Sequence, residues 1–249
     1  MNRAIAASLL SLGVALTSHV LAADVTVLSG GAVEPGLHAA VAQFEKLTAH
    51  HAKLTFNTTP QIQKRIEAGE AFDIVIVPPA ATDSFVKAGT VEVGGIGVGR
   101  VGIGVAVRPG GVAPDISSVD AFKKSLRDAD TIVFNKASSG LYVENLLKKL
   151  GMAVDVESKS VRYGDGASVM EHVLKGKGNE FGFGAMTEIL LYKDKGLRLV
   201  GPLPAEVQNY TPYTASLTPR GKSTEAARDL VAFFATPAGR KLFADAGVE

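Results

Sequence analysis

Four stretches of this chain set hydroxyl-bearing and small residues side by side: Ser29-Gly30-Gly31-Ala32, Asn57-Thr58-Thr59-Pro60, Ala137-Ser138-Ser139-Gly140 and Tyr163-Gly164-Asp165-Gly166-Ala167-Ser168. Each follows a β-patterned run and precedes a helical one. Serine and threonine hydroxyls donate hydrogen bonds, and unpaired N–H groups at a helix start, together with the helix dipole, favour an anion. Glycine lets a ligand approach the backbone closely. Simple helix capping by Ser, Thr or Asp is the competing explanation for every one of these loops. Asp165 and Ser168 read first as caps, which leaves Tyr163 or the loop N–H groups to touch a ligand. Three hydroxyl-bearing β–α loops argue more strongly together than singly, because they can converge on one cleft.

Gly97-Val98-Gly99-Arg100-Val101-Gly102 matches a dinucleotide fingerprint by letter. That fingerprint needs a strand before it and a helix after it. Here Val101, Ile103, Val105 and Val107 alternate, so a strand follows, and no dinucleotide or other cofactor is expected. Arg100 itself has two readings: a bidentate partner for a ligand carboxylate, or a surface arginine paired with a structural acid. His50 and His51 are adjacent and point in different directions on a helix, so they make a poor metal pair. With no H-E-x-x-H, no His-rich tract and no Cys, no metal site is expected. G-x-S-x-G is missing as well. Asp73 opens a strand and reads as structural, bonding the local backbone.

The elements that would position these loops alternate. Residues 53–57, 72–77, 131–135 and 180–185 read as strands. Between them, Leu37, Ala40, Val41 and Phe44 recur at i, i+3, i+4 and i+7, and Val143, Leu146, Leu147 and Leu150 repeat the pattern. Gly69 and Gly151 stand where helices should stop. Strand–helix alternation implies an α/β fold with parallel sheets covered on both faces. Two long extended segments interrupt it, one near residue 100 and one near residue 210. They predict two lobes, the second inserted into the first: residues 23–103 plus 204–249, and residues 104–203. Ligands in such sheets bind beyond the C-terminal strand ends, which here form a cleft between the lobes.

Arg3, the apolar residues 4–16 and Val20-Leu21-Ala22 together read as an export signal cleaved after about Ala22. The apolar run is shorter than the ~20 residues a bilayer span needs. Removing Arg3 takes the formal charge from +1 to neutral, which offers nucleic acid or an anionic membrane no electrostatic footprint. The expected product is an exported, periplasmic domain.

Taken in order, these stretches, with Gly69-Glu70-Ala71-Phe72-Asp73-Ile74-Val75-Ile76, Ser139-Gly140-Leu141-Tyr142, Gly201-Pro202-Leu203-Pro204 and Thr236-Pro237-Ala238-Gly239, resemble the periplasmic molybdate-binding-protein-like solute receptors of ABC transporters, within the type II periplasmic binding proteins. The resemblance covers the chain beyond the signal. It implies a site of hydroxyls and backbone N–H groups: Ser29 as the first-loop serine, Thr58 or Thr59 in place of the second, Pro79-Ala80 offering a backbone N–H, and Ser138 or Ser139 opening the second-lobe helix. It also implies a permease partner and a monomeric receptor. Leu28-Ser29-Gly30-Gly31 replaces the usual Ala-Ala-Ser, and Phe181-Gly182-Phe183-Gly184 occupies the region of the usual binding tyrosine. The ligand is therefore a small anion, either an oxyanion such as molybdate or an organic carboxylate. The family includes an isomerase of aconitate, so a second reading is turnover by allylic proton transfer.

Overall fold

The computed structural model describes residues 23–249; the export signal expected over residues 1–22 lies outside the described residues. Strands β1 (Asp24–Gly30), β2 (His51–Asn57), β3 (Ile74–Val77), β4 (Ile96–Val107), β5 (Thr131–Asn135), β6 (Ser160–Tyr163), β7 (Glu180–Ala185), β8 (Arg198–Pro202) and β9 (Tyr210–Leu217) form one curled sheet. Helices α1 (Glu34–Leu47), α2 (Thr59–Glu67), α3 (Pro79–Lys87), α4 (Val119–Asp128), α5 (Ser138–Lys149), α6 (Ala153–Val156), α7 (Gly166–Lys175), α8 (Met186–Leu190), α9 (Pro219–Ser223), α10 (Glu225–Ala235) and α11 (Pro237–Asp245) cover it.

The sheet order is β2-β1-β3-β9-β4-β7-β5-β6, with β8 added on β4. Two parallel blocks, β2-β1-β3 and β7-β5-β6, are joined through antiparallel β9 and β4. Strand β4 makes the join. Its first half, to Gly102, pairs with β9; from Ile103 it pairs with β7, and from Gly104 also with β8. At the change of partner the Gln208 side chain completes the ladder: Ile103 N–H donates to Oε1 at 3.1 Å, and Nε2 donates to Ile103 O at 2.9 Å. This is the two-lobed α/β architecture with an intervening cleft expected from the sequence. The Gly-rich run at Gly97–Gly102 lies in β4, with a bulge between Gly97 and Gly99.

Each lobe has a core on both faces of its sheet. In the first, the α1 stripe Leu37, Ala40, Val41 and Phe44 packs on Leu230 and Phe234 of α10 and Phe243 of α11. On the other face Leu28, Val75 and Val77 meet Ile62 and Phe85. In the second, Phe122, Leu126, Val143, Leu146 and Leu147 cover Phe134, Phe181 and Phe183, while Val169, Met170, Val173 and Ile189 cover the opposite side. Each fully buried Leu, Val or Phe is worth about 1.5–3 kcal/mol, so these stripes fix the helices on which the loops depend. Gly69 and Gly151 end α2 and α5 at φ +82° and +69°, a backbone that favours glycine. Asp73 is structural, but its reach is long: Oδ2 accepts from the Thr26 N–H at 2.8 Å and hydroxyl at 2.7 Å, and Oδ1 faces Arg220 at 3.1 Å.

Candidate functional site

The C-terminal ends of β1, β2, β5 and β7, and the turn after β6, open on one cavity of about 570 Å³ between the lobes. From the first lobe come Gly30, Gly31, Thr58, Thr59 and Gln61; from the second come Asn135, Ala137, Ser138, Ser139 and Gly166. Val101, Gly102 and Ile103 of β4, with Thr211 and Tyr213 of β9, lie where the lobes join.

Each loop carries its donors for a local reason. After β1 the chain turns at once into a short 3-10 turn, and no side chain caps it. After β5, Asn135 Oδ1 accepts from the Ala137 N–H at 2.9 Å and the Gly140 N–H at 3.1 Å, and its Nδ2 donates to Ser139 Oγ at 3.2 Å. Asn135 is thus the side chain that organises this loop, while α5 has no side-chain cap at Ala137. After β2, Gln61 Oε1 accepts from both the N–H and the hydroxyl of Thr58 at 2.9 and 3.0 Å. After β6, Asp165 caps α7 by accepting from the Ser168 N–H at 2.8 Å.

The structure brings Gly30, Gly31, Thr58, Thr59, Ser138 and Ser139 together on the cavity. Five other residues singled out in the sequence stand away from its lining. Ser29 is fully buried and its hydroxyl donates to Gly30 O at 3.1 Å. Gly140 is buried beneath the β5–α5 loop, where a Cβ would fall 1.7 Å from Asn135 O. Ala80 lies exposed in the first turn of α3. The Tyr163 hydroxyl meets His172 Nδ1 at 2.8 Å. Arg100 stacks over the Tyr210 ring at 4.4 Å and faces Glu249 at 3.5 Å, and its backbone pairs with Glu249 in both directions. That is the surface-pair reading of Arg100. Its partners lie 110 and 149 residues further on, beyond the reach of local patterns.

The electrostatics of the lining are acidic. Glu34, Asp165 and Glu188 line the cavity with Tyr192 and Tyr213, and among the described residues no Lys, Arg or His lines it. Glu188 shows only a partial edge to the cleft and is otherwise surrounded by protein. Burial, then the charge of Glu34 and to a smaller degree that of Asp165, pushes its carboxyl up to about 7, against the pull of the Ala185 N–H. Burial, then the Glu188 charge, likewise pushes the Tyr213 phenol up, so it remains a neutral donor. Among the described residues no group of three His, Cys, Asp or Glu side chains is placed to hold a metal ion. Glu188 was not singled out in the sequence. Its only local signal is position: it stands three residues past the end of β7, at a strand–helix junction, Ala185-Met186-Thr187, that lacks glycine.

Residues 25–249 match the family described as bacterial extracellular solute-binding protein, and the chain belongs to that family. An aconitate isomerase from a Pseudomonas species is 28% identical over 231 residues, covering 90% of this chain and 87% of that protein. Among solved structures, the periplasmic molybdate-binding protein of Azotobacter vinelandii superposes with a TM-score of 0.74 at 15% identity, covering 90% of this chain and 98% of that one. A sulfate-binding protein of Mycobacterium tuberculosis superposes with a TM-score of 0.70 at 18% identity, covering 90% and 86%. At such identities the structural likeness carries the fold. No helix among the described residues is long and apolar enough to cross a membrane.

Proposed function

We propose that this solute-binding protein works in the periplasm, where it captures a small organic polycarboxylate between its lobes and presents it to an ABC permease of the inner membrane. The single observation that carries the reading is the composition of the cavity: donors from both lobes, three carboxylates and no cation. A compact, fully ionised oxyanion would bring its charge against Glu34, Asp165 and Glu188 together. At 4 Å and an effective dielectric of 20, each such like-charge contact costs about 4 kcal/mol. A polycarboxylate divides its charge among separate donor groups and sets a carbon skeleton between them. The volume also suits an organic molecule. Thr59 and Ser138, with the N–H groups of Gly31 and Ser139, are the donors. Residues 23–103 plus 204–249 move as one lobe and 104–203 as the other, closing by a hinge in β4 and the segment before β9. Support for these bounds is the change of partners in β4 between Gly102 and Ile103. Neither lobe needs a second copy to complete the cavity, in keeping with a monomer.

A thermal-shift panel of citrate, cis- and trans-aconitate, molybdate, tungstate and sulfate tests the reading. A ligand at a hundredfold over its dissociation constant stabilises by about 2.7 kcal/mol. The carboxylates are expected to raise the melting temperature and the three oxyanions to leave it unmoved; the reverse ranking overturns the proposal.

One observation favours a second reading, turnover. Glu188 offers the cavity a carboxyl that titrates near neutrality, the property of a general acid–base group. The aconitate isomerase relative points the same way. Incubation with each aconitate isomer and analysis of the products separates a receptor from an isomerase.

A further inference from the structure

Glu188 is held in an unusual setting for a carboxylate. A Cβ at Gly31 would come 2.9 Å from its Oε1, and a Cβ at Gly166 would come 2.5 Å from its Oε2. The carboxyl therefore lies between two glycine backbones, one at the first-lobe loop after β1 and one at the start of α7 in the second. Both positions line the cavity. The helix that carries it is anchored: the Thr187 hydroxyl donates to Ala32 O at 2.5 Å, and Ile189 is fully buried. The titratable groups that act on it are Glu34 from α1 and Asp165 from the start of α7, and its own charge acts on Tyr213 of β9 and Tyr192 beyond α8. None of these is a cation. A salt bridge would lock the carboxylate in its charged form; here it is left free to gain and lose a proton at the seam between the lobes.

We propose that Glu188 is the catalytic residue that moves one proton along the allylic unit of a bound unsaturated polycarboxylate. This assignment rests on the turnover reading above. The Glu188 carboxylate takes a proton from the saturated carbon beside the C=C bond. The released C–H pair forms the new C=C bond, and the old π pair moves to the far carbon, delocalised into its carboxylate. Glu188 then returns the proton to that carbon. The double bond has moved by one place, no electron has been gained or lost, and Glu188 is regenerated. Charge that builds on the substrate carboxylate in between is received by the loop N–H and hydroxyl donors. A carboxyl poised near neutrality supplies both the basic and the acidic form the cycle needs.

The test follows trans-aconitate by proton NMR in D2O, with calorimetric affinities for wild type, Glu188→Gln and Glu188→Asp. The expected result is that wild type converts it to the cis isomer and exchanges carbon-bound hydrogen with solvent. Glu188→Gln then loses about 10²–10⁴-fold in turnover while its affinity holds or rises, since the substitution removes a like charge and not an attraction. Glu188→Asp, which keeps the acid with a shorter reach, retains exchange that Gln lacks, and it carries the test if Gln fails to fold. Turnover by Glu188→Gln within tenfold of wild type, equal rates for Asp and Gln, or a parallel loss of affinity overturns the assignment while the turnover reading stands. Binding by wild type with neither conversion nor exchange overturns the turnover reading, and the assignment falls with it.

Discussion

At the ends of β1, β2 and β5 the chain meets the cleft with N–H and hydroxyl donors, whereas just past the end of β7 it meets the same cleft with a carboxyl. The two regions share one local grammar, a parallel strand running into a helix. They differ in what fills the first helical turn. Gly31, Thr59, Ser138 and Ser139 leave donors open, and Glu188 fills its turn with an acid. Donors alone suit any anion. Donors above an uncompensated acid suit an anion that brings a carbon skeleton, and a proton that can be exchanged.

The strongest way to sharpen this contrast is through pH. The Glu188 carboxyl is raised from 4.5 to about 7 in the folded protein. The native state therefore holds a proton there that the unfolded chain has already lost between those values. The resulting stability is complete below pH 4.5 and is lost as pH rises through 7. At 1.36 kcal/mol per pKa unit this amounts to on the order of 3 kcal/mol. Glu188→Gln is thus expected to match wild type near pH 4 and to exceed its stability at pH 8, read from melting temperature against pH. A constant difference across that range would show that the acid is not held in a buried, like-charged setting.

On the donor side, Gly140→Ala is expected to cost about 1–3 kcal/mol in denaturant unfolding, because the new methyl meets the Asn135 carbonyl at 1.7 Å and backbone has to shift. Affinity should fall with it, since the same shift moves Ser138 and Ser139. Comparable in size, Thr59→Ala or Ser138→Ala is expected to weaken a bound carboxylate by about 1.5–3 kcal/mol, the worth of a hydrogen bond to a charged group, with stability unchanged. Arg100→Ala should do least. Its exposed pair with Glu249 is worth about 0–1 kcal/mol, and calorimetric affinity should not change. A hundredfold loss there would return Arg100 to the site and undo the distinction between donor loops and a cation-free cavity.

The parts of the fold and site set by short-range pattern were legible in the sequence. Strands β5 and β7 begin and end where the alternation places them, and α1 buries the stripe its period marks. The β–α loops carrying Thr58, Thr59, Ser138 and Ser139 meet in one cavity because strand ends in such sheets face one crevice. What was not legible depends on residues distant in sequence. Arg100 is drawn outward by Tyr210 and Glu249. Ser29 is fully buried and its hydroxyl is taken up by the Gly30 carbonyl. The Glu188 carboxyl is raised because it is buried between Gly31 and Gly166 and faces the charges of Glu34 and Asp165. No motif joins those positions.

The cavity's lining makes the cleft a site for a polycarboxylate held by donors and not by cations. Isothermal titration of the purified protein with trans-aconitate and with molybdate, at pH 6 and pH 8 and at low and high salt, tests it most directly. Saturable trans-aconitate binding is expected, tighter at pH 6, where more of Glu188 is protonated, and little changed by salt, with no heat from molybdate. Saturable molybdate binding without any response to trans-aconitate would contradict it.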